Sequence, residues 1–286
     1  MSEKLAIIGG SQAYSLLESG QIVGDRMQPI KTPFGESQPI FKLQIGDALF
    51  MSRHGEKGYQ TAAPWVNYRA NIWALKEMGV TRIVAWSGPG AIDESLKVGQ
   101  FVIPNDLIDE TKARTYSFFE GKGWGFVRQN PVFCPLLREY IAKAADELNL
   151  NCHNGGTYVC TEGPRLETPA EINKFKLFGG DLVGMTLVPE IFLAKELEMC
   201  YALICYVTNY AEGIRERNFK PGVLFEGLLD EDEKQAVDDV IKKMPEIINA
   251  LASEVKNIEK SCNCDKLMER YRLSGQIGPD WRTWIK

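Results

Sequence analysis

The chain reads as a single α/β domain built on a central mixed, largely parallel β-sheet flanked by helices, and three observations carry that reading. Short apolar runs alternate with amphipathic stretches of ten or so residues. The apolar runs end in glycine or small polar residues, and an amphipathic stretch such as 66–79 closes on a glycine stop, Gly79.

The elements follow in order. KLAIIGG (4–10) is a buried strand running into a glycine pair, and ALFMSRHG (48–55) is a second strand ending in a polar turn. VNYRANIWALKEMG (66–79) places apolar residues three and four apart, the spacing of a helix, and VTRIVAWSGPG (80–90) is the next strand. PLLREYIAKAADELNLN (135–151) is a helix, GGTYVCTEGP (155–164) a strand and turn, and TPAEINKFKLFGG (168–180) a helix. DLVGMT (181–186) is a strand, PEIFLAKELEM (189–199) a helix and CYALICYVTNYAEG (200–213) a strand. A long helix is predicted over 229–260, with a break near Pro245, where the ring removes a backbone donor; its charged face reads as solvated. Residues 1–256 form the main domain. Residues 257–286 form a polar extension, with Trp281 and Trp284, expected to pack on the surface or on a neighbouring subunit.

Composition bounds the function. The 286 residues are 44% hydrophobic and 25% charged, and 33 basic against 38 acidic side chains leave a formal charge of -5. That is an ordinary globular composition, and it lacks the basic surface a nucleic-acid partner requires. MSEKLAIIGG is not a secretion signal, and no stretch approaches the apolar length of a membrane span, so a soluble, cytoplasmic protein is expected. Five of the seven cysteines, Cys134, Cys152, Cys160, Cys200 and Cys205, sit in apolar surroundings and read as reduced core residues. Cys262 and Cys264 lie in the polar tail, where a CxC pair is compatible with a local disulfide or half a metal site.

In a parallel sheet, ligands bind outside the carboxyl ends of the strands, which selects the residues that matter. Gly9, Gly10 and Ser11 form either a small anion nest or simply a tight turn. Arg53 and His54 pair a bidentate oxyanion donor with an imidazole that can also donate; the alternative is an Arg–His pair that caps a strand or holds a carboxylate. Ser87, Gly88, Pro89 and Gly90 let backbone amides approach a ligand closely. Three anion-compatible clusters at three strand ends predict an orthophosphate site. Glu167 stands just before the helix start at Thr168-Pro169, and Asn209 ends an almost wholly apolar strand, where a buried amide must find partners.

Five ordered segments now fall into place: RHG (53–55), VNYRANIWALKEMG (66–79), EGPRLETPAE (162–171), GMTLVPEIFLAKE (184–196) and VTNYAEG (207–213). Together they resemble the trimeric purine nucleoside phosphorylase and methylthioadenosine phosphorylase family, from about Leu5 to the helix near Lys256. The resemblance implies phosphorolysis of a purine nucleoside by a homotrimer or dimer of trimers acting in purine salvage. Inorganic phosphate would be a co-substrate, with no metal and no organic cofactor. Phosphate would be held by Ser11, Arg53, His54, Ser87, Gly88 and Thr186, and the ribose would rest on Met185. Leu166, Glu167, Asn209 and Ala211 would face the base, with Leu166 replacing an aromatic ring usual in the family. Asn209, Glu167 and His54 would carry the catalysis.

Base choice turns on three positions. Adenine-preferring members carry Asp where this chain has Asn209 and again where it has Ala211, whereas Glu167 matches members that accept from N1–H of a 6-oxopurine. Family members that bind ordinary nucleosides use a histidine for the 5′-hydroxyl, and no histidine follows His153 here. Phe219, Val223, Leu224 and Phe225, with Phe126 from a neighbouring subunit, would instead give an apolar lining suited to a 5′-methylthio group. The expected substrate is therefore 5′-methylthioinosine, with inosine and guanosine as alternatives. The rivals are methylthioadenosine phosphorylase and, from another class, a non-catalytic purine-binding protein.

Overall fold

The computed structural model describes residues 3–10, 12–216, 221–223, 229–254 and 258–285. Four parallel strands, Cys200–Tyr206, Arg82–Ser87, Leu5–Gly9 and Leu49–Ser52, lie side by side at the centre of an eight-stranded sheet. Every residue in them is buried, so apart from Arg82, Ser52 and Ser87 at strand ends they read as continuous apolar runs rather than alternating ones. Phe101–Ile103 pairs antiparallel with Cys200–Tyr206 and carries Cys152–Asn154 on its outer side, while Ile40–Leu43 and Gly24–Arg26 extend the other flank. The period-2 pleat sends Ala6 and Ile8 into one core layer and Leu5 and Ile7 into the other. Helices Tyr68–Glu77 and Glu190–Glu196 cover the first layer, and Pro135–Glu147 and Glu231–Glu254 cover the second.

The sheet is mixed and largely parallel, as the sequence predicts, but it is divided in two. A second, five-stranded sheet contains Asp106–Glu110, Thr157–Thr161, Leu182–Gly184, Gly90–Ala91 and Asn209–Tyr210. Four chain segments pass from one sheet to the other through short bends at 88–89, 104–105, 155–156 and 207–208. At 155–156 the bend is possible because Gly155 and Gly156 take φ of 149° and 100°. Ser87, Gly88 and Asn209 stand at or beside two of these bends.

Local signals place the helices. The Asn67 side chain accepts the Ala70 N–H at the start of one helix, and Gly79, with φ of 80°, ends it. Thr168 and Glu171 form a reciprocal capping box, with Pro169 in the first turn. The expected break at Pro245 does not occur: Glu231–Glu254 is continuous. The proline's lost hydrogen bond is outweighed by packing of Met244, Ile247, Ile248 and Leu251 along one face.

The tail packs on its own chain. Met268, Tyr271, Ile277 and Trp284 enclose Phe119 in a small satellite core. Arg272 pairs with Glu198 and Arg282 with Glu77, and the Trp281 ring lies edge-on, 4.6 Å from Trp73. No described helix is long and apolar enough to cross a membrane.

Candidate active site

Because the four central strands run parallel, their carboxyl ends bring Gly9-Gly10, Arg53-His54, Ser87-Gly88 and Val207-Thr208 to one edge. Ser11 lies outside the described residues. Arg53 is 1% exposed, and its fork does not face open space. Nε and Nη2 donate to the two Glu190 carboxylate oxygens at 2.9 and 2.7 Å, and Nη1 donates to the Trp86 carbonyl at 3.0 Å. Burial works against the Arg53 charge, but the Glu190 carboxylate and its hydrogen bonds outweigh it and hold the guanidinium protonated. The fork thus adopts the carboxylate-holding arrangement that the sequence left open as the alternative, since a buried cation needs a buried anion and Glu190 supplies it. The described hydrogen bonds use one of the two Nη1 N–H groups, and a Cβ on Gly10 would stand 3.9 Å from that nitrogen.

His54 is also buried. Its Nδ1 lies 2.8 Å from the Thr61 carbonyl, which can only accept, so Nδ1 carries the proton. Burial first, and the Arg53 charge second, push the imidazole down to about 4, which leaves it neutral near pH 7. The sequence reading gave this ring a donor role. In the tautomer that Thr61 selects, Nε2 offers a lone pair instead.

The third cluster gathers hydroxyls. Ser87 Oγ lies 3.2 Å from Tyr158 Oη and 3.4 Å from Thr186 Oγ1, so residues 87, 158 and 186 meet across the seam between the sheets. A Cβ on Gly88 would stand 2.7 Å from Thr208 Cγ2, so only glycine lets the two strand ends approach this closely.

On the base side, Glu167 accepts from Thr161 Oγ1 at 2.5 Å. Arg114, buried, holds that strand end by donating to the carbonyls of Thr161 and Glu162 at 3.1 and 2.6 Å and to that of Val188. Met185 and Leu166 are half-buried, and Met185 fills the space a Cβ on Gly163 would need, its sulfur 2.5 Å from that point. The Asn209 amide is oriented by its own loop: Oδ1 accepts from Thr208 Oγ1 at 2.7 Å, and Nδ2 donates to the Tyr210 carbonyl at 2.8 Å. One N–H and one lone pair remain for a ligand. Ala211 is buried in an apolar cluster with Ile92, Val183 and Phe175.

The structure therefore joins Ser87 to Thr186 and Glu167 to Thr161, but it does not bring Glu167 and Asn209 into hydrogen-bond contact. Glu167 lines a charged cavity with Thr161, Arg165 and Lys174 that excludes Ser87 and Thr186. Of the 5′ lining, Phe219, Leu224 and Phe225 lie outside the described residues, Val223 is half-buried, and Phe126 is 76% exposed. The sequence reading missed Glu190, Tyr158, Thr161 and Arg114. Only the rule that a buried arginine needs a carboxylate pointed to any of them.

A family model described as the phosphorylase superfamily matches residues 4–253. A probable 6-oxopurine nucleoside phosphorylase of Moorella thermoacetica is 42% identical over 248 residues, 85% of this chain and 93% of its own. A probable S-methyl-5′-thioinosine phosphorylase of Methanothermobacter thermautotrophicus is 40% identical over 262 residues, 91% of this chain and 87% of its own. Among solved structures, a methylthioadenosine phosphorylase from an Antarctic soil metagenomic library superposes with a TM-score of 0.79 at 30% identity, over 93% of this chain and 91% of that one. The five sequence segments and the two-sheet fold agree with these matches, and the chain belongs to the phosphorylase superfamily.

Proposed function

We propose that this chain is a purine nucleoside phosphorylase preferring 6-oxopurines, with 5′-methylthioinosine favoured over inosine and guanosine. Phosphorolysis passes through an oxocarbenium-like sugar, so the site must hold an anionic nucleophile beneath the anomeric carbon and relieve charge on the leaving purine. No covalent enzyme intermediate is needed. The observation that carries the reading is the hydroxyl cluster of Ser87 and Thr186, closed up by Gly88 at the seam of the two sheets. Phosphate would take these hydroxyls, the backbone of Gly88, Ser11 and the spare Arg53 N–H. His54 Nε2, being unprotonated, would accept from the P–OH of hydrogen phosphate and so orient the dianion.

Met185 would carry the ribose. Leu166 would wall the base, Glu167 would accept from its N1–H, and the spare N–H of Asn209 would donate to O6 or N7. Ala211 supports the 6-oxo preference because an adenine-type carboxylate is absent there and its surroundings are apolar. The names of relatives support both base and 5′ choices. The reading includes a homotrimer in the cytoplasm serving purine salvage, in which the exposed Phe126 of a neighbour would complete the 5′ lining; sedimentation at assay concentration measures the assembly.

A second reading, methylthioadenosine phosphorolysis, is supported by the name of the solved structure. The deciding experiment follows base release with and without phosphate from methylthioinosine, inosine and methylthioadenosine. We expect phosphate-dependent hypoxanthine release, faster from the methylthio substrate. Faster adenine release would favour the second reading, and no phosphate-dependent release from any substrate would sink both. Ser87→Ala should raise KM for phosphate, whereas Arg53→Ala is a poor probe because it also strands Glu190.

A further inference from the structure

Outside the site, four cysteines converge. Cys134 caps the helix Pro135–Glu147, Cys200 begins a central strand, and Cys262 and Cys264 come from the tail. Their sulfurs all lie within 4.8 Å of one another, and Cys200 and Cys262 are 3.4 Å apart. Among the described residues this is the one group of three or more His, Cys, Asp or Glu side chains with metal-binding spacing. Tetrahedral zinc with Zn–S bonds of ~2.3 Å sets its sulfurs ~3.8 Å apart, so four mutually close thiols from three elements match one central ion. We infer that Cys134, Cys200, Cys262 and Cys264 form a structural four-cysteine site for zinc that fastens the tail to the body of the domain.

The surroundings suit such a centre. Four thiolates around Zn2+ carry a net charge of -2, and binding releases four thiol protons to solvent. Lys195 lines the same cleft as Cys134, Cys262 and Cys264, where its ammonium donates to the carbonyls of Pro131 and Val132 at 2.8 and 3.1 Å. Cys200 lies in a central strand, Cys134 immediately precedes a helix, and Cys262 and Cys264 lie in and just before a short tail turn, so the ion would add a covalent-strength tie to a tail already packed on the body.

The test uses the full chain, expressed without a metal-affinity tag. Elemental analysis should find one zinc per chain. Anaerobic titration of the reduced, metal-stripped protein with cobalt should saturate at one equivalent and give thiolate-to-cobalt charge transfer with the visible bands of a tetrahedral ion. A Cys262→Ser/Cys264→Ser variant should lose stoichiometric uptake while keeping the parent's far-ultraviolet circular dichroism. If that variant does not fold, the parent's own cobalt spectrum decides. Failure of the reduced parent to take up cobalt or zinc would overturn the proposal, as would native disulfides with no metal uptake after reduction, or undiminished uptake by the variant.

Discussion

Asn209 shows how one side chain can set base choice. Its amide is held from both ends, by a hydroxyl that donates to Oδ1 and a carbonyl that accepts from Nδ2, so the remaining N–H points where the loop dictates. Asn209→Asp keeps the first contact and turns the second into an oxygen facing an oxygen. We expect the ratio of kcat/KM for methylthioadenosine over methylthioinosine to rise at least ~10-fold, with a loss of about 1–3 kcal/mol from the unpaired Tyr210 carbonyl. Parallel assays and urea titrations read both; an unchanged ratio would remove Asn209 from base selection. The residue itself was legible in the sequence, as a polar group ending an apolar strand. Its two partners were not, because nothing in the primary structure says which way an amide turns. Arg53 makes the same point: its position at a strand end was legible, whereas its partner Glu190 stands 137 residues away.

Among the elements, the central strands and the helices covering them were readable because burial on both faces leaves continuous apolar runs and caps leave their own marks. The short strands Gly24–Arg26 and Asp106–Glu110 escaped, since their residues are polar or only part-buried and their pairing is made by neighbours distant in sequence. Division into two sheets was equally hidden, because a bend of two residues looks like any turn. Gly88 stands at one of these bends. Gly88→Ala would press a methyl against Thr208 Cγ2 at 2.7 Å and the Tyr206 ring at 3.0 Å. We expect a loss of about 1–3 kcal/mol in stability and a fall in kcat/KM for phosphate, measured by thermal melts and steady-state kinetics. A variant with parent-like phosphate kinetics would argue against close approach at this seam.

For the molecule as a whole, two buried groups oppose each other in their response to pH. His54, pushed down to about 4, contributes stability that is present above its ordinary value near 6.5 and is lost as pH falls through 4. Glu196 is pushed up to about 7, chiefly by burial, against hydrogen bonds from Ser117 and the Phe118 amide. Its contribution is present below about 4.5 and lost as pH rises through 7. Each shift corresponds to about 3 kcal/mol at most. Glu196→Gln should therefore match the parent near pH 5 and exceed it by up to about 3 kcal/mol at pH 8, as denaturant titrations at the two pH values would show. An equal difference at both would mean that Glu196 is ionised throughout.

The bends that divide the sheet also have a mechanical meaning. Ser87 and Asn209 belong to different sheets, yet each is joined to the other sheet through its own backbone, at 88–89 and 207–208. A molecule lodged between them leans on two peptide hinges rather than on a sliding interface of side chains. The layers cannot part without flexing these bends, so cohesion of the two sheets is an elastic property of the backbone as well as of the side chains between them.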